Sequence, residues 1–553
     1  MSQSVFQPLD EEPKTRLVLS QVLAQAVSQY PDHESYVGPD ARRTWRETSA
    51  RSHAIAKSLL ALDVQKADHV GVLLGNCAQW IEIFYACALI GAVTVPINTR
   101  FKKGELEYCL KQSDVKVLFM SEQFLNIDFA GMIQDIEPAV ATCLPGLKLP
   151  HLRHCISTSE KSTLKGSLGW EDFLSMGDSV DESLLRLQTE SVLPSDVLLI
   201  QFTSGTTSFP KGVMLTHTNM LLNAREVAQR MRVSSADRYF SIRPYFHVSG
   251  STLSILVSLN SGCCLLTLPK FDVKENLRVL FEEKCTLISR NDTIFLSLLG
   301  DEDFDVRRLY LTGGWAAVDP GVMQKIHDEM GLTTVCNAYG QSEASPNVLF
   351  SDCEEPFELR KSGFASPLPG VDVRLANALS DQPVLYPDTG EIQVKGWNVM
   401  KGYYNMPQET AKAFTQDGWL KTGDLGEYDP EGRVRMVGRL KDIFRVGGEN
   451  VAPSDVEEVL HAHPGVQQSQ VVGVPDQRLG EVCAAFVIPN DAHAVSAEDL
   501  IAWCKDRCAN FKVPKYLAFV DSFELIGMTG SSKVQKNKLR DHAIELWDLQ
   551  KSA

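Results

Sequence analysis

The stretch QFTSGTTSFPKGVMLTH, Gln201–His217, follows the apolar run DVLLI and leads toward the apolar MLLNA. Eight of its first twelve residues are Thr, Ser, Gly or Lys. Two kinds of loop have that composition. Glycines let backbone N–H groups turn inward, hydroxyls add donors and a lysine adds mobile charge, which together suit phosphate. Ser/Gly/Thr runs also form plain surface loops. The Gly-x-x-x-x-Gly-Lys-Ser/Thr spacing of the common nucleoside-triphosphate loop is absent. The stretch alone leaves both readings open.

Its surroundings define the scaffold. RETSARSHAIAKSLLAL (46–62) spaces Ala, Ile and Leu as a helix does, and HVGVLLG (69–75) reads as a buried strand. WIEIFYACALIGAVTVPIN (80–98) predicts a helix, a stop at Gly91 and a strand. Strands are expected again at VKVLFM (115–120), DVLLIQF (196–202) and VRRLYLTGG (306–314), with loops over 158–190. Alternating strands and helices imply parallel sheets covered by helices, with ligands beyond the strands' carboxyl ends. QFTSGTT and YLTGG are both placed at such ends. From about residue 384 the texture shifts to short strands and turns, TGEIQVKG and EGRVRMVGRLKD. A compact tail follows: helix SDVEEVLHAHP, strands QSQVVGVP and CAAFVIP, and a helix around AEDLIAWCKDRC.

The 553 residues, 44% hydrophobic and 22% charged, require several structural units and have ordinary globular composition. A formal charge of −16 argues against a general nucleic-acid binder, which needs a basic surface. Thirteen cysteines without paired or metal-like spacing suggest reduced thiols. The N-terminal MSQSVFQPLDEEPK has neither the basic start nor the apolar core of a secretory signal, and no apolar run reaches membrane-spanning length. The terminal Lys-Ser-Ala does not match the common peroxisomal tripeptide. A cytoplasmic protein without an integral membrane segment is expected.

Further stretches carry residue types with chemical uses. PYFHVSG (244–250) sets His247 among aromatics and glycine; LTGGW (311–315) has two glycines and an indole; NAYGQSEAS (337–345) offers an aromatic face, a hydroxyl and a carboxylate suited to magnesium. DGWLKTGDLGEYD (417–429) presents an aspartate able to accept from a ribose diol, GRLKDIFRVGGENVAPSDVEEVL (438–460) sets Arg439, Lys441 and Arg445 beside a double glycine, and TGSSKVQKNKLR (529–540) presents Lys533. Each alone is equally a core histidine, a turn or a solvated basic segment.

In this order and spacing the stretches resemble the adenylate-forming superfamily: acyl-CoA synthetases, luciferase-like enzymes and peptide-synthetase adenylation domains. The resemblance runs from about residue 45 to 540 and includes NVMKGYYNMPQETAKAF, which is read as family texture without chemistry. It implies a large N-terminal part (1–438) of two parallel-type α/β subdomains plus a small β-barrel-like one, and a mobile α+β C-terminal domain (439–553). It also implies ATP, Mg2+ and coenzyme A, with a small carboxylic acid activated as its adenylate and passed to CoA. Loading of an acyl carrier protein is the alternative thiol, and a catalytically degenerate nucleotide-binding protein the alternative of another class. Neither the acid nor the oligomeric state is readable.

The resemblance assigns the phosphates to Thr203, Ser204, Gly205, Thr206, Thr207, Ser208 and Lys211, and magnesium to Glu343 with Thr206. Gly313, Gly314, Tyr339 and Gly340 are assigned to the nucleotide, Ser342 to the α-phosphate, Asp424 and Arg439 to the ribose. Lys533 is assigned to the reacting oxygens, and Tyr245, His247 and Trp315 to the acyl pocket. Lys441 is assigned to a hinge and Arg445 to the thioester-forming face. The chain departs from the family pattern at Ser208 and Ser532, where glycine is usual, and in a longer segment before Lys533.

Overall fold

The computed structural model describes residues 17–160, 162–203, 210–490, 495–524, 526–528 and 534–549. The chain packs as two units: Met1–Val318, Lys325–Asp372 and Val394–Gly418 in the first, and Asp319–Gln324, Val373–Gln393 and Trp419–Ala553 in the second.

The first unit is built on two large sheets. One runs Gly402–Tyr403, Gly212–Thr216, Val197–Phe202, Val93–Pro96, His69–Leu73, Val117–Met120, His154–Ser157 in spatial order. Its last five strands are parallel, whereas Gly212–Thr216 pairs antiparallel with both of its neighbours. The other runs Asn347–Phe350, Thr334–Gly340, Gly313–Ala316, Leu287–Arg290, Arg238–Phe240, Cys264–Leu266, Glu34–Val37, Arg42–Thr44, parallel except at its two edges. Buried strands rich in Val, Leu and Ile are what two-sided helix cover requires. The helix Ala78–Ile90 buries every residue but Gln79 and stops at Gly91, whose backbone is left-handed. Such a helix, mostly apolar and enclosed on all sides, belongs to an interior rather than a surface.

The second unit holds two smaller sheets. Val371–Ala376, Gly390–Gly396, Leu420–Tyr428 and Val434–Arg439 make a four-stranded sheet. Glu449–Val451, Phe444–Val446, Gly480–Pro489 and Val466–Asp476 follow in a second sheet, with Tyr516–Phe519 also pairing with Gly480–Pro489. Val456 and Leu460 of helix Pro453–His461 and Leu500 and Cys504 of helix Ala497–Lys505 pack on one side of this sheet, and Leu539 and Ala543 of helix Lys536–Leu546 on another cluster.

Two expectations are corrected. Residues 158–190 contain the helices Trp170–Met176 and Glu182–Glu190. The second starts because Asp181 accepts the Ser183 N–H, a capping signal outweighed in the sequence by serine and charge content. The strand expected at 306–314 begins only at Gly313, after a 3-10 turn at Val306–Arg308. Gly313 and Gly314 therefore open that strand rather than close it. The expected parallel sheets are present, with antiparallel pairs added toward their edges.

Candidate active site

The strand Val197–Phe202 does not feed a helix but turns back into Gly212–Thr216, with Phe202 opposite Gly212. The intervening loop is closed at its base: Thr203 donates its N–H to the Lys211 carbonyl at 3.0 Å, and Lys211 donates its N–H to Thr203 Oγ1 at 3.2 Å. Ser204, Gly205, Thr206, Thr207 and Ser208 lie outside the described residues. Within the strand, buried Gln201 donates Nε2 to the Phe246 carbonyl at 2.9 Å, linking this hairpin to the segment that carries His247.

Three stretches distant in sequence meet beside the hairpin. Lys211 Nζ lies 2.6 Å from Glu409 Oε2 and 4.9 Å from the centre of the Tyr403 ring. Tyr403 donates its hydroxyl to Glu343 Oε1 at 2.9 Å, and the Met400 N–H donates to the Glu343 carbonyl at 2.8 Å. The Lys211 ammonium, with Lys412, holds the Glu409 carboxyl down to about 2. Burial raises the Tyr403 phenol above its usual range, so it stays a donor. Glu343 sits in the 3-10 turn Ser342–Ala344, just after the strand that ends with Tyr339 and Gly340. Ser342 is partly buried. A Cβ on Gly340 would lie 2.0 Å from the Pro346 carbonyl oxygen, so this turn needs glycine for close backbone approach. Tyr403 and Glu409 were missed in the sequence. Both lie in NVMKGYYNMPQETAKAF, where no spacing separates a positioning tyrosine from a packing one.

This donor set fits magnesium. Among the described residues no three His, Cys, Asp or Glu side chains converge as an all-protein metal cage. A single oriented carboxylate is the arrangement expected where substrate phosphates complete the shell.

The acyl-side assignments divide. His247 caps the short helix Val248–Gly250, accepting the Ser249 N–H on Nδ1 at 3.2 Å, an assignment that puts any single ring proton on Nε2. The helix then continues as a π-helical segment, Ser251–Leu256. Tyr245 is wholly buried, its ring 5.6 Å from that of Trp80. Trp315 is 3% exposed, donates Nε1 to Tyr239 Oη at 2.9 Å and is covered by the Arg243 guanidinium at 3.9 Å. Gly314 has φ +143°, and a Cβ there would lie 1.8 Å from the Ile288 carbonyl oxygen. On Gly313 a Cβ would lie 2.3 Å from Thr334 Oγ1. Both glycines thus have a sheet-packing reason independent of any nucleotide.

In the second unit Asp424 is 4% exposed and faces Arg439 across the sheet, with Arg439 Nε 3.3 Å from Asp424 Oδ1. Lys441 lies in the one-turn 3-10 segment Leu440–Asp442, which joins strand Val434–Arg439 of one sheet to Phe444–Val446 of the next. Partial enclosure, and then the Arg439 charge, lowers its ammonium pKa. Arg445 donates its backbone N–H to Glu481 Oε2 at 3.0 Å. Lys533 and Ser532 lie outside the described residues; Met528 and Val534 pair across the ends of that segment. Lys536, three residues beyond Lys533, is committed to the unit's own packing: it pairs with Glu457 and donates to the Val471 carbonyl at 2.9 Å.

Residues 23–404 match the family described as AMP-binding enzyme, and residues 455–533 its C-terminal domain. The chain belongs to this family, and its class is that of ATP-dependent, AMP-forming acid–CoA ligases. The chain is 36% identical to the putative acyl-CoA synthetase YngI of Bacillus subtilis strain 168 over 544 residues, 97% of this chain and 98% of that one. It is 33% identical to a 3-[(3aS,4S,7aS)-7a-methyl-1,5-dioxo-octahydro-1H-inden-4-yl]propanoyl:CoA ligase of Rhodococcus jostii strain RHA1, covering 96% of this chain and 99% of that one. Among solved structures it resembles o-succinylbenzoate CoA synthetase (MenE) from Bacillus subtilis in complex with its acyl-adenylate intermediate, with TM-score 0.75, 26% identity, and 94% and 98% of the two chains covered.

Proposed function

We propose that the substrate carboxylate attacks the α-phosphorus of ATP, expelling pyrophosphate, and that the thiol of free coenzyme A then attacks the acyl-adenylate, expelling AMP. The meeting of Lys211, Glu343, Tyr403 and Glu409 at the base of the hairpin whose connecting sequence is rich in hydroxyls and glycine carries this reading. It sets a cation and an oriented carboxylate where a polyphosphate is to be held, and such reactions need positioning and charge neutralisation above all. Lys211 exchanges Glu409 for the β- and γ-phosphates when ATP enters. Ser204 to Ser208 supply hydroxyl and N–H donors. Glu343, with Thr206, holds magnesium, which when bound neutralises phosphate charge. Tyr339, Gly340 and Ser342 border the nucleotide, and Asp424 with Arg439 takes the ribose. His247 shapes and gates the acyl pocket.

Lys533 bridges the carboxylate and α-phosphate oxygens in the first step and must then leave room for the thiol, with Arg445 on the thioester-forming face. The functional boundary at 438/439 and the one-turn segment at Lys441 supply that change, since a hinge concentrates a large φ/ψ change in few residues. Lys441→Pro, which fixes φ, should keep acid-dependent pyrophosphate exchange and lose thioester formation. Equal loss of both would count against the hinge.

The acid is open, because the relatives' names span a bicyclic propanoate and o-succinylbenzoate. A cytoplasmic location is part of the proposal, supported by thirteen free cysteines. No described helix is long and apolar enough to cross a membrane. The test is to assay AMP and thioester with a panel of acids, offering CoA in one arm and a phosphopantetheinylated carrier protein in the other. Thioester with CoA alone supports the reading, and thioester with the carrier alone replaces CoA by a carrier.

A further inference from the structure

Two arginines, Arg290 buried and Arg243 partly exposed, lie at the carboxyl ends of neighbouring parallel strands, and among the described residues neither has an acid beside it. Arg243 follows strand Arg238–Phe240, and Arg290 ends strand Leu287–Arg290, which pairs in turn with Gly313–Ala316 and thus with Trp315. Arg290 is 1% exposed and is satisfied largely by neutral oxygens: it donates to the Phe240 carbonyl at 3.0 Å, the Ser289 carbonyl at 2.8 Å and Asn276 Oδ1 at 3.2 Å. Arg243 is less satisfied. One terminal nitrogen donates to the Arg290 carbonyl at 3.0 Å, and its plane is fixed by stacking on Trp315. Its Nε is buried without a hydrogen-bond partner, as is that of Arg290. Among the described residues no carboxylate pairs with either guanidinium. Burial pushes Arg243 down to about 10, and burial plus the Arg243 charge pushes Arg290 down to about 9.

Buried cations are ordinarily paired, because an unpaired buried charge is costly and a like charge beside it adds to the cost. Arginine cannot escape by losing its proton at neutral pH. Arg243 nevertheless keeps partial exposure, so the pair is reachable, and it lies where open α/β sheets bind their ligands. Only three residues separate Arg243 from His247.

We propose that Arg243, oriented by Trp315 and by the Arg290 carbonyl, receives a second anionic group of the acid being activated. The substrate is then a dicarboxylic acid, one carboxylate reacting with ATP and the other paired with Arg243. This rests on the acid-activating reading above. Arg290 is a supporting residue, holding Arg243 and adding charge. The opposing account is that both arginines merely knit loops together through carbonyl oxygens, which makes no distinction among acids.

The experiment compares linear dicarboxylic acids with monocarboxylic acids of equal length in the full-length protein. It uses two readouts: AMP release with ATP, magnesium and CoA, and thermal shift with the acid alone. The wild type should prefer dicarboxylates. Arg243→Met should raise their KM roughly ten- to hundredfold, the size of one charge-assisted contact, while sparing or improving monocarboxylates. Arg243→Lys should recover part of the loss and keeps the test open if the Met variant fails to fold. Turnover of monocarboxylates alone, or an acid profile unchanged in both variants, overturns the proposal and leaves the ligase reading standing. A dicarboxylate-specific thermal shift that Arg243 controls, without turnover of any acid, supports the anion site and counts against the ligase reading. No turnover and no shift overturns both.

Discussion

The chain contains two Gly-Gly pairs in regions read as functional, Gly313-Gly314 and Gly447-Gly448, and the structure requires glycine at each for a different reason. Gly314 lies inside a sheet, where a Cβ would lie 1.8 Å from the backbone oxygen of the neighbouring strand. Gly447 and Gly448, with φ +60° and +97°, form the two-residue turn between strands Phe444–Val446 and Glu449–Val451. There no backbone is in the way: a Cβ on Gly448 meets nothing within 4 Å, and one on Gly447 meets only the Leu479 side chain, at 3.2 Å. At Gly314 packing adds to a demand of backbone angle, whereas in the turn pair backbone angle is the main demand. The same dipeptide therefore predicts opposite tolerance to side chains.

Substitutions test that contrast directly. The largest effect is expected at Gly314→Ala, where backbone must move: a loss on the order of 3 kcal/mol or more, read by urea unfolding. A loss below that of the turn variants would break the comparison.

A comparable effect comes from acid. His217, in the first unit with Gly314, is wholly buried, accepts the Leu19 N–H on Nδ1 at 3.1 Å, and has its pKa pushed by burial down to about 4. The unfolded chain binds a proton there near pH 6.5, the fold only near 4. Stability is therefore full above about pH 6.5 and falls, on the order of 3 kcal/mol in all, as pH drops toward 4. Melting temperature against pH should show this slope, and His217→Gln should flatten it.

The turn effects are smaller. Gly448→Ala should cost about 1 kcal/mol, for positive φ alone. Gly447→Asn should change stability by less than ~0.5 kcal/mol, since Asn-Gly is a favoured pair for this hairpin turn. If Gly447→Asn is as harmful as Gly314→Ala, the space around Gly447 has been misjudged.

These positions also show what the sequence could carry. Long periodic elements were legible: the helix at 45–61, the buried strand at 69–73 and the tail from Pro453 to Lys505 follow their hydrophobic spacing. The strand at Gly313 was misplaced because VRRLYL has strand composition, while the chain there makes a 3-10 turn and irregular backbone. The hydroxyl-rich loop, Glu343 and the C-terminal lysines were read as candidates from local motifs. Tyr403, Glu409, Arg243 and Arg290 were not, since what marks them is a partner far away in the chain, or the lack of one. Burial and unpaired charge exist only after folding.

The central claim is that the cluster around Lys211, Tyr403 and Glu343 is the polyphosphate end of an acid-activating site. The direct measurement is acid-dependent exchange of labelled pyrophosphate into ATP, in wild type and in Glu343→Gln. The substitution keeps an oxygen for the Tyr403 hydroxyl but removes the charge. The account predicts exchange in wild type that depends on both acid and magnesium. In folded Glu343→Gln it predicts a fall of roughly a hundredfold or more. ATP binding without exchange in wild type for any acid, or full exchange in Glu343→Gln, would contradict it.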